Sequence, residues 1–535
     1  MKPFGASGVF RPSADEGALR GLAVRGASAT IFSGGVGVAI QVVATITLVR
    51  LLTPSDFGVV AMVTTFSLLL YNFGLNGFTE AILQFEEVNH VLASNLFWIN
   101  LSVGIALTIA FAGAGSLLAQ FYRDPRVAHV AVGASLTILI ASTSVVHQAL
   151  LKRSMYFSAL SVNDIISRAV SVVVSILLAW AGWGYWALVA GIIAQPLSVS
   201  IGAWTLCKWT PGLPRRAANT LPMVRFAMNV YGRFTVNYFS RNTDNMLVGW
   251  RFDAQALGFY KKAYDLFALS VGLLVSPLAN VAVSALSRFD PRSAQFRRYF
   301  LNALAVMAFA GMGLGADLTL VGKDVIRLLL GPGWGQSGRI FMFFGPGIGI
   351  MMLYYTHGWI HLSIGKADRW FRWGIVEFAC TFLLFLVGLH WGPAGVAVAW
   401  TASFWILTLP AFWYAGVPVE FGVAPMLAVV WKFVVASALA GCATALILRK
   451  IPDVLAGPGR IETIARIGMI SVILMILYVV TVIVLHGGCG PIYQIGRLVR
   501  EISPPGRFSK VSPVTAAACP TTPSEELSLT DPKGS

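Results

Sequence analysis

The chain is expected to be an all-α polytopic membrane protein. About fourteen transmembrane helices are predicted: two six-helix bundles related by internal repeat, plus two C-terminal helices. Three observations lead there. Of 535 residues, 56% are hydrophobic and 12% charged, with a mean hydropathy of +0.73, whereas soluble chains are roughly a quarter charged. Apolar runs of about twenty residues, each long enough to cross a hydrocarbon core of roughly 30 Å as a helix, recur along most of the chain. The two halves also resemble each other at a shift of about 200 residues.

Reading apolar runs between charged or Pro/Gly-marked breaks places the spans in order. The first half holds 27–49, 57–75, 96–119, 127–149, 163–182 and 185–207. The second holds 229–250, 258–286, 299–322, 340–363, 371–390 and 393–415, and 426–448 and 463–486 follow. The divisions are a cytoplasmic N-terminal segment 1–26, a first bundle 27–207, a cytoplasmic linker 208–228, a second bundle 229–415, two additional helices within 426–486, and a tail 487–535. The tail is rich in Pro, Ser and Thr and reads as disordered and cytoplasmic. No A-x-A-like cleavage site stands after the first apolar run, which reads as a retained span.

An even number of spans puts both termini on one side, and the distribution of Lys and Arg names that side as the cytoplasm. Basic residues gather at Arg11, Arg20 and Arg25, at Lys152 and Arg153, at Lys208, Arg215, Arg216 and Arg225, at Arg288 to Arg298, at Lys366 to Arg372, and in the tail. Two loops on the same side dissent. The one with Glu80, Glu86 and Glu87, and the one with Glu420, carry no Lys or Arg, although acidic residues count little in this rule. The net charge of +16 therefore follows from topology and contact with anionic lipid head groups. Without a continuous basic domain, nucleic acid is not an expected partner.

The repeat rests on three matches in the same order. LLTPSDFGVV (51–60) lies over RFDAQALGFY (251–260), with Gly58 on Gly258. GWGYWALVA (182–190) resembles HWGPAGVAVA (390–399), with Gly184 on Gly392, and FYRDP (121–125) faces LLLGP (328–332). At a shift of 200, Ser33, Gly37, Gln41 and Thr45 of the first span match Arg233, Asn237, Arg241 and Asn245 of the seventh. An i, i+4, i+8 spacing puts each set on one helix face. The first face is narrow and neutral, and the second is cationic.

The segment Asn229–Trp250 therefore carries the leading candidate site. Ionisable side chains at membrane depth face a protein interior or a water-filled cavity and mark substrate or ion pathways. Arg233 and Arg241 lie two turns apart, Asn237 and Asn245 add amide groups, and Gln41 and Arg168 are the candidates from the first half. Asp244 has two open roles: holding Arg241 as an i, i+3 pair, which is preferred, or taking up protons. Arg25 and Arg168 also fit snorkelling to the inner interface, and Lys432 fits contact with a lipid head group.

Other clusters read more plainly. Tyr260, Lys261, Lys262 and Tyr264 fit an anchor at the outer interface, and GWGYW fits an aromatic belt. His357 and His361 have i, i+4 spacing but no third ligand, so no metal is expected. GMGLG and GPGWG lack the GK[ST] ending of a phosphate loop, and no cofactor is expected. Five scattered cysteines, with no CxxC spacing, indicate neither disulfides nor a thiolate metal site.

Several stretches carry a family likeness: RLLTPSDFGVVAMV, FGLNGFTEAILQ, LFWIN, FYRDPRV, LLKRSMYFSALSVNDIISR, GWGYWALV, NTDNMLVGWRFDAQALGFYKKAYDL and SPLANVAVSALSRF. Over roughly residues 25–415 the chain resembles the polysaccharide transporter family, the Wzx/WzxC-like oligosaccharide flippases of the multidrug/oligosaccharidyl-lipid/polysaccharide exporter superfamily. The resemblance implies two six-helix bundles around a central cavity, no enzymatic activity, and a bacterial inner-membrane location with both termini cytoplasmic. The implied cargo is an undecaprenyl-pyrophosphate-linked oligosaccharide repeat unit for lipopolysaccharide or exopolysaccharide, moved by alternating access. Membrane lipids, a polymerase and glycosyltransferases are the implied partners. The alternatives are a lipid II flippase, a drug/cation antiporter of the same superfamily, and a membrane polymerase or ligase. The last would need acid/base or metal-binding residues on an extended outer loop, and the loops on that side are short.

Overall fold

Helix ends in this chain are set by caps and by runs of hydroxyl residues. The computed structural model describes residues 16–85, 88–215, 220–450 and 459–488, with a few further positions near both ends. The first half comprises α1 (Glu16–Leu51), α2 (Pro54–Gln84), α3 (His90–Gly113), α4 (Gly115–Tyr122), α5 (Arg126–Ser142), α6 (Val145–Arg153), α7 (Phe157–Trp180) and α8 (Tyr185–Leu206). The second comprises α9 (Leu221–Arg251), α10 (Ala254–Leu286), α11 (Ala294–Leu330), α12 (Gly335–Ser363), α13 (Ala367–Gly388) and α14 (Gly392–Gly416). Then come α15 (Val423–Lys450) and α16 (Arg460–His486). Most of the expected tail 487–535, and residues 11–15 of the segment 1–26, lie outside the described residues.

The chain is an all-α, multi-pass membrane protein. Among the described residues, eleven stretches are long and apolar enough to span, or twelve with the bent pair α5–α6. The difference from the expected fourteen has two sources. The continuous helical stretch Ala367–Val419 holds both α13 and α14, and α9 is made more polar than the other long helices by its Arg, Asn and Asp residues.

The helices begin earlier than the hydropathy runs because polar caps extend them. Thr53 and Asp56 form a capping box ahead of α2, the Thr53 N–H donating to Asp56 at 2.9 Å with Pro54 in the first turn, an arrangement that satisfies donors otherwise left free. At the corresponding turn in the second half, Asp253 accepts from the Ala256 N–H at 2.7 Å. The expected single span 127–149 is instead bent by 40° between α5 and α6. Three consecutive hydroxyls there, Ser142, Thr143 and Ser144, bond back to the carbonyls of Ile138, Ile140 and Ala141, and such back-bonding bends helices.

In the first half α1 packs on α7, α7 on α8, and α5 on α2, α3 and α8. In the second half α12 is central, touching α10, α11 and α14, with α15 packed on the outside of α11. The halves meet where α2 lies against α9 and α10. Tyr231 and Tyr238 of α9 donate across this seam to the carbonyls of Leu69 and Thr65, at 2.8 and 2.9 Å.

At its end the seam is reciprocal. A Cβ on Gly58 would lie 1.6 Å from the Ala254 carbonyl oxygen, and one on Gly258 would lie 1.8 Å from that of Pro54. These are the glycines matched at a shift of 200, and Pro54 and Ala254 match at the same shift. Backbone is in contact with backbone on both sides, so neither position accepts a side chain without parting the helices.

Candidate functional site

Arg241 and Asn237, one turn apart on α9, line a cavity of about 250 Å³ together with Tyr354, Tyr355 and His357 of α12 and Glu377 of α13. The Arg241 guanidinium donates to the Tyr355 hydroxyl at 3.0 Å and lies 5.2 Å from the centre of its ring. Glu377 lines the same cavity, as does Tyr354 with its hydroxyl. The Trp373 indole in turn donates to that hydroxyl at 2.8 Å. A cation thus faces an acceptor-rich wall, and both Arg241 and Asn237 remain exposed to the opening.

All lining residues belong to α9, α12 and α13, so the cavity sits inside the second bundle. This cavity draws on α9 and not on α1, so the expected α1 and α9 candidates do not share it. Gln41 lines a different cavity of about 340 Å³, with Thr45, Lys262 and Asp265. Arg168 pairs with Asp164 one turn back at 2.8 Å and lies over Gly37 of α1. Neither joins Arg241. Arg233 lies on α9, but its side chain is outside the described residues.

The preferred pairing of Asp244 with Arg241 is also corrected. Asp244 is fully buried and accepts from the Tyr260 hydroxyl at 2.8 Å and the Trp400 indole at 2.9 Å. Three residues on a helix turn the side chain about 60° from its partner, and that rotation aims Asp244 at α10 and α14 while Arg241 faces α12. Its other carboxylate oxygen and both amide atoms of Asn245 are buried without a partner among the described residues. Asn245 is 1% exposed and does not line the cavity.

Tyr260, Lys261, Lys262 and Tyr264 are not an exposed interfacial anchor. Tyr260 is fully buried and Lys262 is 9% exposed. The Lys262 ammonium lies 4.2 Å from the Phe57 ring of the other bundle and 3.9 Å from Asp265, and Lys261 bonds Asp265 at 2.7 Å. The seam between bundles covers a patch that spacing alone reads as a rim. His357 and His361 are buried among Tyr354, Trp373 and Tyr414.

Glu377 escaped the sequence reading. Its signal was present, since a carboxylate in the predicted span 371–390 meets the same rule that singled out Arg241. Averaging over a long apolar run hides a single charge.

Solved structures share this architecture. The lipid II flippase MurJ in its inward closed conformation superposes with a TM-score of 0.68 at 14% identity, covering 86% of this chain and 98% of that one. An inward-facing multidrug resistance MATE family transporter of the MOP superfamily gives 0.59 at 12% identity, covering 72% and 94%. At such identities the likeness is one of fold. Among curated proteins, the teichuronic acid biosynthesis protein TuaB of Bacillus subtilis is 26% identical over 304 residues, 56% of this chain and 62% of that protein. The succinoglycan biosynthesis transport protein ExoT of Rhizobium meliloti is 22% identical over 369 residues, covering 68% and 74%. The lipopolysaccharide biosynthesis protein WzxC of Escherichia coli is 20% identical over 314 residues, covering 58% and 62%. The matched stretch is thus less than two thirds of TuaB and of WzxC. Residues 47–338, more than half of the chain, match the family described as polysaccharide biosynthesis protein, and this chain belongs to that family.

Proposed function

We propose that the protein is a flippase that moves undecaprenyl-pyrophosphate-linked oligosaccharide repeat units across the bacterial inner membrane by alternating access, with both termini cytoplasmic. The observation that carries this reading is Arg241, a guanidinium in the expected seventh span, exposed to a cavity and held by a hydroxyl rather than locked in an ion pair. Moving a diphosphate through hydrocarbon means replacing its hydration, and an Arg fork can bond two phosphate oxygens at once. The cavity of about 250 Å³ lies below the roughly 300–1000 Å³ of drug-sized pockets. It suits a diphosphate, with the sugars left in the open mouth and the polyprenyl chain in lipid. Arg233 and Asn237 belong to the same reading, while Asp244 and Asn245 act as internal support.

The family match and relatives named for polysaccharide biosynthesis and transport support a carrier role rather than an enzymatic one. Lipid-linked oligosaccharide is then the cargo, and polymerase and glycosyltransferases are partners. The test is in cells. Arg241→Ala protein reaches the membrane at normal abundance, polymer at the surface disappears, and lipid-linked repeat units accumulate in the inner leaflet. Arg241→Lys restores export partly, because an ammonium cannot reproduce the bidentate contact. Normal polymer from the alanine variant overturns the assignment.

A second reading, a drug/cation antiporter of the same architecture, is favoured by Glu377, a carboxylate on the cavity wall. Efflux of a cationic dye that Glu377→Gln abolishes and Arg241→Ala spares would select it.

A further inference from the structure

Apart from the Arg241 cavity, the molecule has a larger one, of about 600 Å³, at the end where α1 and α11 finish. Three arginines line it: Arg50 from the last turn of α1, Arg327 from the last turn of α11, and Arg460 from the first turn of α16. No carboxylate lines it among the described residues, and none of the three makes an ion pair there. Glu462, the nearest carboxylate in sequence to Arg460, accepts from the Gly459 N–H at 2.9 Å.

The walls are fixed from two sides. The Trp334 indole donates to the Val49 carbonyl at 3.0 Å, and its ring packs edge-on against Phe57. Asp324 and Arg466 form an ion pair that ties α11 to α16. At a rise of about 1.5 Å per residue, Arg327 lies roughly 4.5 Å and Arg460 roughly 9 Å beyond that tie along their helices. The tie therefore carries both side chains to the mouth.

Arg50 and Arg327 sit at helix C-termini, where a positive charge is favoured without any ligand. Arg460 sits at a helix N-terminus, where a positive charge opposes the helix dipole. Three guanidinium groups facing one cavity repel one another unless an anion lies between them, and a tetrahedral phosphate offers enough oxygens to engage more than one fork.

We propose that this cavity binds a phosphate-bearing anion, either the head group of an acidic lipid or a soluble phosphate. The site is independent of Arg241 and of the cargo assigned to it.

The test uses the full chain in detergent, with binding read by native mass spectrometry. The probes are phosphatidylglycerol, phosphatidylcholine and inorganic pyrophosphate. Wild type retains phosphatidylglycerol over phosphatidylcholine, or retains pyrophosphate without lipid, and that difference assigns the source. The Arg50→Gln/Arg327→Gln/Arg460→Gln protein loses at least about tenfold in retention of the acidic probe, while Arg449→Gln/Lys450→Gln, which removes two charges at the end of α15, retains it. Should the triple variant fail to fold, Arg50→Lys/Arg327→Lys/Arg460→Lys keeps the charge and binds more weakly than wild type. Single Arg→Gln changes each give a partial loss. Equal retention by wild type and the glutamine variants, equal loss in the α15 variant, or no acidic probe held by wild type overturns the proposal.

Discussion

The same helix face has different fates in the two halves. In α1, α7 closes on Ser33 and Gly37, while Gln41 and Thr45 line a cavity beside Lys262 and Asp265. The Ser33 hydroxyl donates to the Ser161 carbonyl at 3.3 Å, and Arg168 folds over Gly37. In α9 the matched positions carry Arg233, Asn237, Arg241 and Asn245, and between Arg241 and its neighbours on α12 and α13 a cavity remains. Both faces thus border a cavity, and the side chain at the equivalent position decides whether a guanidinium lines it. A repeated scaffold can therefore place a guanidinium-lined cavity on one of its two matched faces alone.

That contrast can be broken by making α9 resemble α1. Arg241→Gln is expected to lower transport of a labelled lipid-linked repeat unit in proteoliposomes by about 10- to 100-fold, since a hydrogen bond to a charged group is worth roughly 1.5–3 kcal/mol. Adding Gln41→Arg does not recover it, because Gln41 faces a separate cavity beside Lys262. Recovery would mean that the two faces share one chamber.

The feature common to both halves can be tested next. Gly58→Ala and Gly258→Ala are each expected to destabilise the protein by on the order of 1–3 kcal/mol, the range for overpacking. The double variant falls short of the sum, because contacts sharing one seam do not add. Thermal unfolding in detergent measures this, and strict additivity would show the two contacts to be independent. The smallest effect is expected from Arg168→Gln. Its pair with Asp164 is an i, i+4 bridge with both side chains 40% exposed, worth at most about 0.5 kcal/mol. A larger loss would mean that Arg168 supports α1 through Gly37 more than through its charge.

Much of the architecture was legible because lipid leaves few options. Helices must satisfy their own backbone, and long apolar runs mark them. The charges in α9 stood out for the same reason. Direction was harder to read. Local spacing offers Asp244 a partner at Arg241, yet the groups that bind it, Tyr260 and Trp400, come from α10 and α14, and Trp400 is 156 residues away. Lys262 looks like an interfacial residue until Phe57 of the other half covers it. Where a side chain turns depends on partners distant in sequence, and helical periodicity does not report them.

The crossing of α2 and α10 is the contact that a symmetric pair of half-length chains would make, each copy offering a glycine to the other's carbonyl. In such a homodimer any change at that glycine strikes twice, because an isologous interface repeats every residue. Fusion into one polypeptide removes that doubling. With both glycines in one polypeptide, each can be changed without the other, so the seam can be perturbed from one side at a time.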